Sequence, residues 1–273
     1  MATTEAATFA ERVGVVARRD LSVELSYHYS FAMRYLGILL SIATFFFLSK
    51  LVGEAPLLGE YSGGYFEFAL VGLIMTGLTA TSLTAFNSAV SAEMSAGTLE
   101  ILLATATRPF SMVAGVLVVP LALRLVDTVL YLGFGVWLLG AGFTAGGLLL
   151  SVPLFVMSIM TFAALGILAA SFVVLTKRGD PITGLLVQIT SLLAGTLFPI
   201  SVLPTPLQYL SKLIPTFYAL RGIRGVLLGG EGFLDILDEL AVLAGFTAVL
   251  LPIALWSLSR AIRISKVTGT LGN

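Results

Sequence analysis

The chain has 273 residues, of which 58% are hydrophobic and only 11% charged, and its mean hydropathy is +1.02. A soluble domain carries about a quarter charged residues, so this is an integral membrane protein. The net charge of zero gives no bias towards nucleic acid, and the absence of cysteine excludes disulfides, thiolate nucleophiles and cysteine metal sites.

The first thirty residues are charged, precede the first apolar run and carry no cleavable signal pattern. Residues 9–28 place Phe9, Val13, Val16, Ala17, Leu21 and Leu25 at helical spacing, with Glu11, Arg12, Arg18, Arg19 and Ser22 mostly elsewhere. The pattern predicts an amphipathic helix lying on the inner leaflet. A solvated helix packed on protein has the same pattern.

Six runs then follow that are long enough to cross a bilayer, each needing about 20 apolar residues. They are 31–51, 65–90, 110–140, 148–175, 182–202 and 240–258. Arg12, Arg18 and Arg19 precede the first run, Arg108 lies between the second and third, Lys177 and Arg178 between the fourth and fifth, and Arg260, Arg263 and Lys266 in the tail. In a six-span chain all these segments share one side, which the distribution of basic residues makes the cytoplasm. Both termini are expected there.

Between the second and third runs lies a polar island, 91–109. Its acids Glu93 and Glu100 flank a Gly97-Thr98 step, and Leu99, Leu102 and Leu103 fall on one side before Arg108-Pro109. This predicts a short amphipathic helix stopped by Pro109, suited to docking on a cytoplasmic partner. The turn at Lys177 and Arg178 is expected on the same side. It either makes a smaller contact with that partner or only sets topology.

The segment 203–230 is long for a membrane-protein loop and is not polar. Its helical pieces are too short to span, and Pro204, Pro206 and Pro215 break the chain between them. A re-entrant helical hairpin entering from outside fits, because broken apolar helices are tolerated at membrane depth where protein covers the backbone. An ordinary pair of external loop helices is the alternative. Arg221 and Arg224 are expected at an external or shallow position.

Chemistry is sparse. No G-x-x-x-x-G-K-[ST] loop is present, and no serine has histidine and aspartate partners at a credible spacing. The chain is therefore expected to be non-catalytic and to carry no cofactor or metal. Arg124 and Asp127 sit well inside the third run at i,i+3 spacing, within pairing reach on one helix face. Two readings stay open: a proton- or ion-coupled site, or a self-neutralised pair facing other helices. Hydroxyls cluster on the second run at Thr76, Thr79, Thr81, Ser82, Thr84 and Ser88.

The island reads Glu93-Met-Ser-Ala-Gly97-Thr98-Leu99-Glu100-Ile-Leu102-Leu103-Ala-Thr105-Ala106. It resembles the acid-x-x-x-Gly-Thr-Leu-Glu-x-Leu-Leu-x-Thr-Pro motif that follows the second span in ABC-2 membrane subunits of ABC exporters. Ala106 stands where that motif has proline. A second stretch resembles the fifth-span exit and external helices of the same family: Gly195 to Pro199, Leu203-Pro204, Pro215, Tyr218, Arg221 and Arg224. The closest flavour is the drug-resistance type that works beside a separate ATPase.

The resemblance implies an all-α polytopic fold of the ABC-2, or type V exporter-like, kind. It has six transmembrane helices, an N-terminal interfacial helix, a cytoplasmic coupling helix and an external re-entrant hairpin, forming one transmembrane domain over residues 1–273. Glu93, Gly97, Thr98, Leu99, Glu100, Leu102, Leu103 and Arg108, with Lys177 and Arg178, would couple to an ABC ATP-binding subunit present in two copies. ATP and Mg would be held by that partner. Pro199, Pro204, Pro215, Tyr218, Arg221 and Arg224 would form the external gate. A second permease subunit, identical or not, would complete a dimer in the cytoplasmic membrane of a prokaryote, surrounded by membrane lipids. The implied function is ATP-driven export of a lipophilic substrate, a drug-like compound or a lipid. An ion- or proton-coupled secondary transporter, export of a lipid-linked glycan by the same ABC mechanism, and a membrane scaffold without substrate are the alternatives.

Overall fold

In a computed structural model, residues 14, 18, 28–53, 64–95, 109–176 and 182–267 are described. Among them all regular structure is helical. In chain order the helices are α1 (His28–Val52), α2 (Tyr65–Ser95), α3 (Pro109–Leu139), α4 (Ala145–Thr176) and α5 (Ile182–Leu193). After a 3-10 turn at Ile200–Val202 come α6 (Thr205–Ser211), α7 (Pro215–Leu228) and α8 (Leu237–Val267).

Five helices, α1 to α4 and α8, are long and apolar enough to cross a membrane. The protein is an all-α, polytopic membrane protein. The fifth predicted run, 182–202, is not one continuous helix: α5 has 12 residues and stops at Leu193. At 1.5 Å per residue that is about 18 Å, against a hydrocarbon core of about 30 Å. The stop has a local cause. Gly195 takes φ +68°, a left-handed conformation that ends a helix at little cost only for glycine. The chain then turns through Pro199, where φ is −63° and ψ 143°.

The two short helices fall within the 203–230 segment that the prolines punctuate. Pro204 caps α6, and Pro215 is the first residue of α7, the position at which a missing N–H costs nothing. Pro120, Pro153 and Pro252 lie inside α3, α4 and α8, where neighbouring helices can re-satisfy the freed carbonyls.

α2 is the central helix. Over its most apolar stretch 61% of residues are buried, against 11% for α1 and 17% for each of α3 and α8. It joins all three core clusters. Phe68, Val71, Met75 and Leu78 pack with Leu154 and Phe162 of α4, and with Leu220 and Ile223 of α7. Phe86 packs against Ala164 and Ile167 of α4 and Ala254 and Leu258 of α8. Phe66 and Leu70 meet Ile38 and Ile42 of α1, with Tyr131 and Phe134 of α3. α4 and α8 make the most extensive helix pair. It carries an interhelical hydroxyl bond, Thr161 to Thr247 at 2.7 Å, the polar contact that membrane helices use in place of a hydrophobic drive. The outward faces of α1, α3 and α8 expose Leu40, Val129, Trp137, Val249 and Trp256, as lipid-facing or subunit-facing helices do.

Candidate functional site

Polar chemistry inside the helical body gathers at two nodes. The first is built on Arg224 of α7, which is 4% exposed. Its Nη1 donates to the Gly195 carbonyl at 2.8 Å, and its Nη2 donates to the Thr196 carbonyl at 2.6 Å and the Phe68 carbonyl at 3.2 Å. The guanidinium lies over the Phe68 ring, its Cζ 3.4 Å from the centroid. Only a planar fork can stack on an aromatic face while its edge bonds carbonyls. Two of those carbonyls follow the end of α5, where the interrupted helix offers no continuing N–H partners. Arg224 thus replaces the missing turn of helix and fastens it to α2.

Gly72 of α2 makes this approach possible. A Cβ there would stand 1.8 Å from the Thr196 carbonyl oxygen, so the backbone after α5 is packed directly on bare α2 backbone. Beside it runs a short hydroxyl relay. Thr76 donates to the Gly72 carbonyl at 2.9 Å and lies 3.5 Å from the Ser191 hydroxyl, which meets the Thr196 hydroxyl at 2.8 Å. With Thr79, Thr190 and Thr216 these groups line a depression between α2, α5 and α7. The hydroxyls of Thr79 and Thr216 are buried without a hydrogen-bond partner among the described residues.

The second node contains Arg124 and Asp127, and the structure adds a third member that the sequence reading leaves out. Asp127 is buried, and its Oδ2 accepts from Arg124 Nη1 at 3.0 Å and from Arg34 Nη2 of α1 at 2.6 Å. Arg124 Nε donates to the Thr81 hydroxyl of α2. The pair is therefore not closed within α3. It ties α1, α2 and α3 together at one carboxylate, whose Oδ1 has no partner among the described residues. Arg34 could have been singled out, since it lies three residues inside the first apolar run. A basic residue there reads as one that snorkels to the interface, which is why the pairing is not legible.

The residues expected at an external gate divide. Pro199 and Pro204 shape the turn after α5, and Pro215 starts α7. The Tyr218 hydroxyl donates to the Lys212 carbonyl at 2.9 Å, closing the α6–α7 corner, and its ring meets Phe217 edge-on at 5.0 Å. Arg221 is 62% exposed, with its Nε 3.4 Å from Oε1 of the buried Glu239. Arg221 is thus open to its surroundings, and Arg224 is enclosed by protein. The two are three apart on α7, and the face carrying Arg224 is the one that packs on α2. Phe68 and Glu239 also belong to this region. Phe68 looks like any core aromatic in the sequence, and Glu239 sits one residue before the sixth apolar run and reads as a loop acid.

Glu93 lies in the last turn of α2. Gly97, Thr98, Leu99, Glu100, Leu102, Leu103, Arg108, Lys177 and Arg178 lie outside the described residues, as does most of the predicted interfacial helix 9–28, of which only Gly14, Arg18 and His28 are described, all helical.

The chain was compared with known proteins. No individual curated protein matches it. The ABC-2 type transporter family matches over residues 13–228, a stretch that contains the polar island, the broken fifth helix and both short helices, α6 and α7. The chain belongs to the ABC-2 type transporter family, the membrane permease components of ABC transporters, which are not themselves catalytic and normally pair with an ATP-binding subunit.

Proposed function

We propose that this chain is the permease subunit of an exporter driven by ATP that a separate subunit hydrolyses. The family match carries this reading, because the matched stretch includes the island with Glu93, Gly97 and Glu100 at the motif's spacing. In this account 91–109 forms the coupling helix and seats in a cleft of the ATP-binding subunit, with Lys177 and Arg178 making a smaller contact. Two ATP-binding subunits hold ATP and Mg, and a second permease subunit completes the complex in the cytoplasmic membrane, with both termini inside.

A lipophilic cargo, a lipid or drug-like compound, is the substrate class that fits. Arg34, Asp127 and Arg124 of the described spans bond to one another, and Arg224 of α7 bonds to backbone carbonyls. The outward helix faces are largely apolar, and hydroxyls of α2 and α5 line the depression between α2, α5 and α7. The same clusters argue against ion coupling, since the one acid among them already faces two guanidiniums.

Pull-down of an ATP-binding subunit with the tagged full-length chain tests the docking step. Replacing Leu99, Leu102 and Leu103 together with serine should abolish recovery of the ATPase while leaving the chain in the membrane. Undiminished recovery would remove the island from the docking interface.

A further inference from the structure

Arg34, Asp127 and Arg124 together carry one positive charge in excess, and they do so within the spans. Arg124 is the member with a donor to spare. Its Nε donates to the Thr81 hydroxyl and its Nη1 to Asp127 Oδ2 at 3.0 Å. Its Nη2 has no partner among the described residues, and the side chain is 32% exposed. A guanidinium edge left open in a span is costly unless an anion meets it.

That guanidinium is fixed in place by protein. Gly77 of α2 lies against it, and a Cβ there would stand 3.1 Å from Nη1. Thr81, one turn later on α2, and Asp127 on α3 hold the rest of one edge. Arg34 of α1, 26% exposed, reaches the same Asp127 oxygen at 2.6 Å. Two partly exposed guanidiniums therefore meet at one oxygen, which puts both within reach of a single phosphate group. All the members lie towards the same end of the bundle. Arg34 is two residues into the apolar stretch Ala32–Val52, Arg124 six into Val118–Trp137, and Thr81 eight before the end of Tyr65–Ala89. At 1.5 Å per residue these are depths of about 3, 9 and 12 Å, counted from the end expected to face the cytoplasm. Long basic side chains at such depths reach the headgroup level. Above them the outward faces of α1 and α3 expose Leu36, Leu40, Val126 and Val129.

We propose that Arg124 and Arg34 bind the phosphate of an anionic phospholipid from the leaflet at this end, with its acyl chains along the outward faces of α1 and α3. Arg124 Nη2 supplies the open donor edge and Arg34 the second charge. Asp127 is a positioning residue: it holds both guanidiniums and, as one carboxylate against two, leaves the site cationic. A lipid of net negative charge is preferred to a zwitterionic one, whose ammonium would bring a further positive charge to the site. The proposal goes beyond the transport reading and needs neither ATP, cargo nor an ATPase.

The experiment uses the purified full-length chain, delipidated in a neutral detergent, without ATP, cargo or partner. Phosphatidylglycerol, phosphatidylcholine and inorganic phosphate are each titrated at constant ionic strength while thermal unfolding is followed. Phosphatidylglycerol should give a saturable rise in Tm, half-complete at a several-fold lower concentration than phosphatidylcholine requires. Arg124→Gln should raise that concentration by roughly tenfold, the effect of losing one charged hydrogen-bond donor. If the glutamine variant does not fold, Arg124→Lys serves in its place. It keeps a charge beside Asp127 but loses the fork, and should raise the concentration several-fold. An equal response to the two lipids, as expected if a second copy of the chain covers this face, would overturn the site. So would a shift reproduced by inorganic phosphate, which would make the ligand a free anion, or a phosphatidylglycerol response undiminished in the Arg124 variant. None of these results bears on whether the chain moves a cargo.

Discussion

Arg224 spends a charged side chain on three backbone carbonyls and an aromatic face, with no acid among the contacts described above. Its substitution should therefore behave as the loss of a buried charged network. Arg224→Ala deprives three buried carbonyls of a charged donor and is expected to cost about 2–4 kcal/mol, seen as a fall in Tm, and Arg224→Lys should rescue little because an ammonium cannot stack and fork at once. Accessibility gives a sharper test. A cysteine at position 221 should react with an impermeant thiol reagent and one at 224 should not, and equal labelling at both would mean that the packed face of α7 is misassigned. Glu231 makes a prediction in pH. Its pKa is raised in the fold, chiefly by burial, so its stabilising contribution is complete below the ordinary 4.5 and is lost as pH rises through the higher folded value. Glu231→Gln should therefore be more stable than the parent at neutral pH. The difference should vanish in acid, as thermal unfolding across the pH range would reveal.

At the scale of elements, hydropathy located α1 to α4 and α8 to within a few residues at most ends, the exception being a C-terminus of α8 that runs to Val267 where the apolar run closes at 258. It did so because apolar runs of bilayer length have no other common fate. It misplaced the end of α5 because hydropathy counts apolarity and not helicity. Ala194, Leu197 and Phe198 are as apolar as the helix before them, and only the left-handed Gly195 marks the stop. The two short helices α6 and α7 were legible through the prolines that bound them. The Arg34–Asp127 contact was not, since 93 residues separate its partners and no local pattern pairs them. Two substitutions probe these joints. Gly72→Ala forces a methyl onto the Thr196 carbonyl, backbone against backbone with no flexible side chain to yield, and should cost about 1–3 kcal/mol. Asp127→Asn removes the carboxylate shared by two guanidiniums that are 26% and 32% exposed. Solvent at the guanidiniums lowers the penalty below that of a fully buried pair, to about 2–3 kcal/mol. Arg34→Gln should cost less, because Arg124 still faces Asp127, and a larger loss from Arg34→Gln would contradict the shared-carboxylate arrangement.

For the whole molecule, the architecture divides into a shielded centre and sparsely buried flanks. α2 is enclosed by α1, α3, α4, α5 and α7, while α1, α3 and α8 leave broad apolar faces outward. That arrangement suits the permease proposed here, whose partners would lie on its surface: lipid, a second permease subunit and an ATPase. The central claim is that ATP hydrolysed on the partner moves a lipophilic cargo through force delivered at that segment. Proteoliposomes containing the chain and its ATP-binding subunit test it most directly, by following ATP hydrolysis and the movement of a fluorescent lipid or drug together. The parent complex should couple the two. Replacing Gly97 and Glu100 together should abolish cargo movement while hydrolysis continues and the chain remains inserted, and cargo movement that survives both replacements would contradict the account.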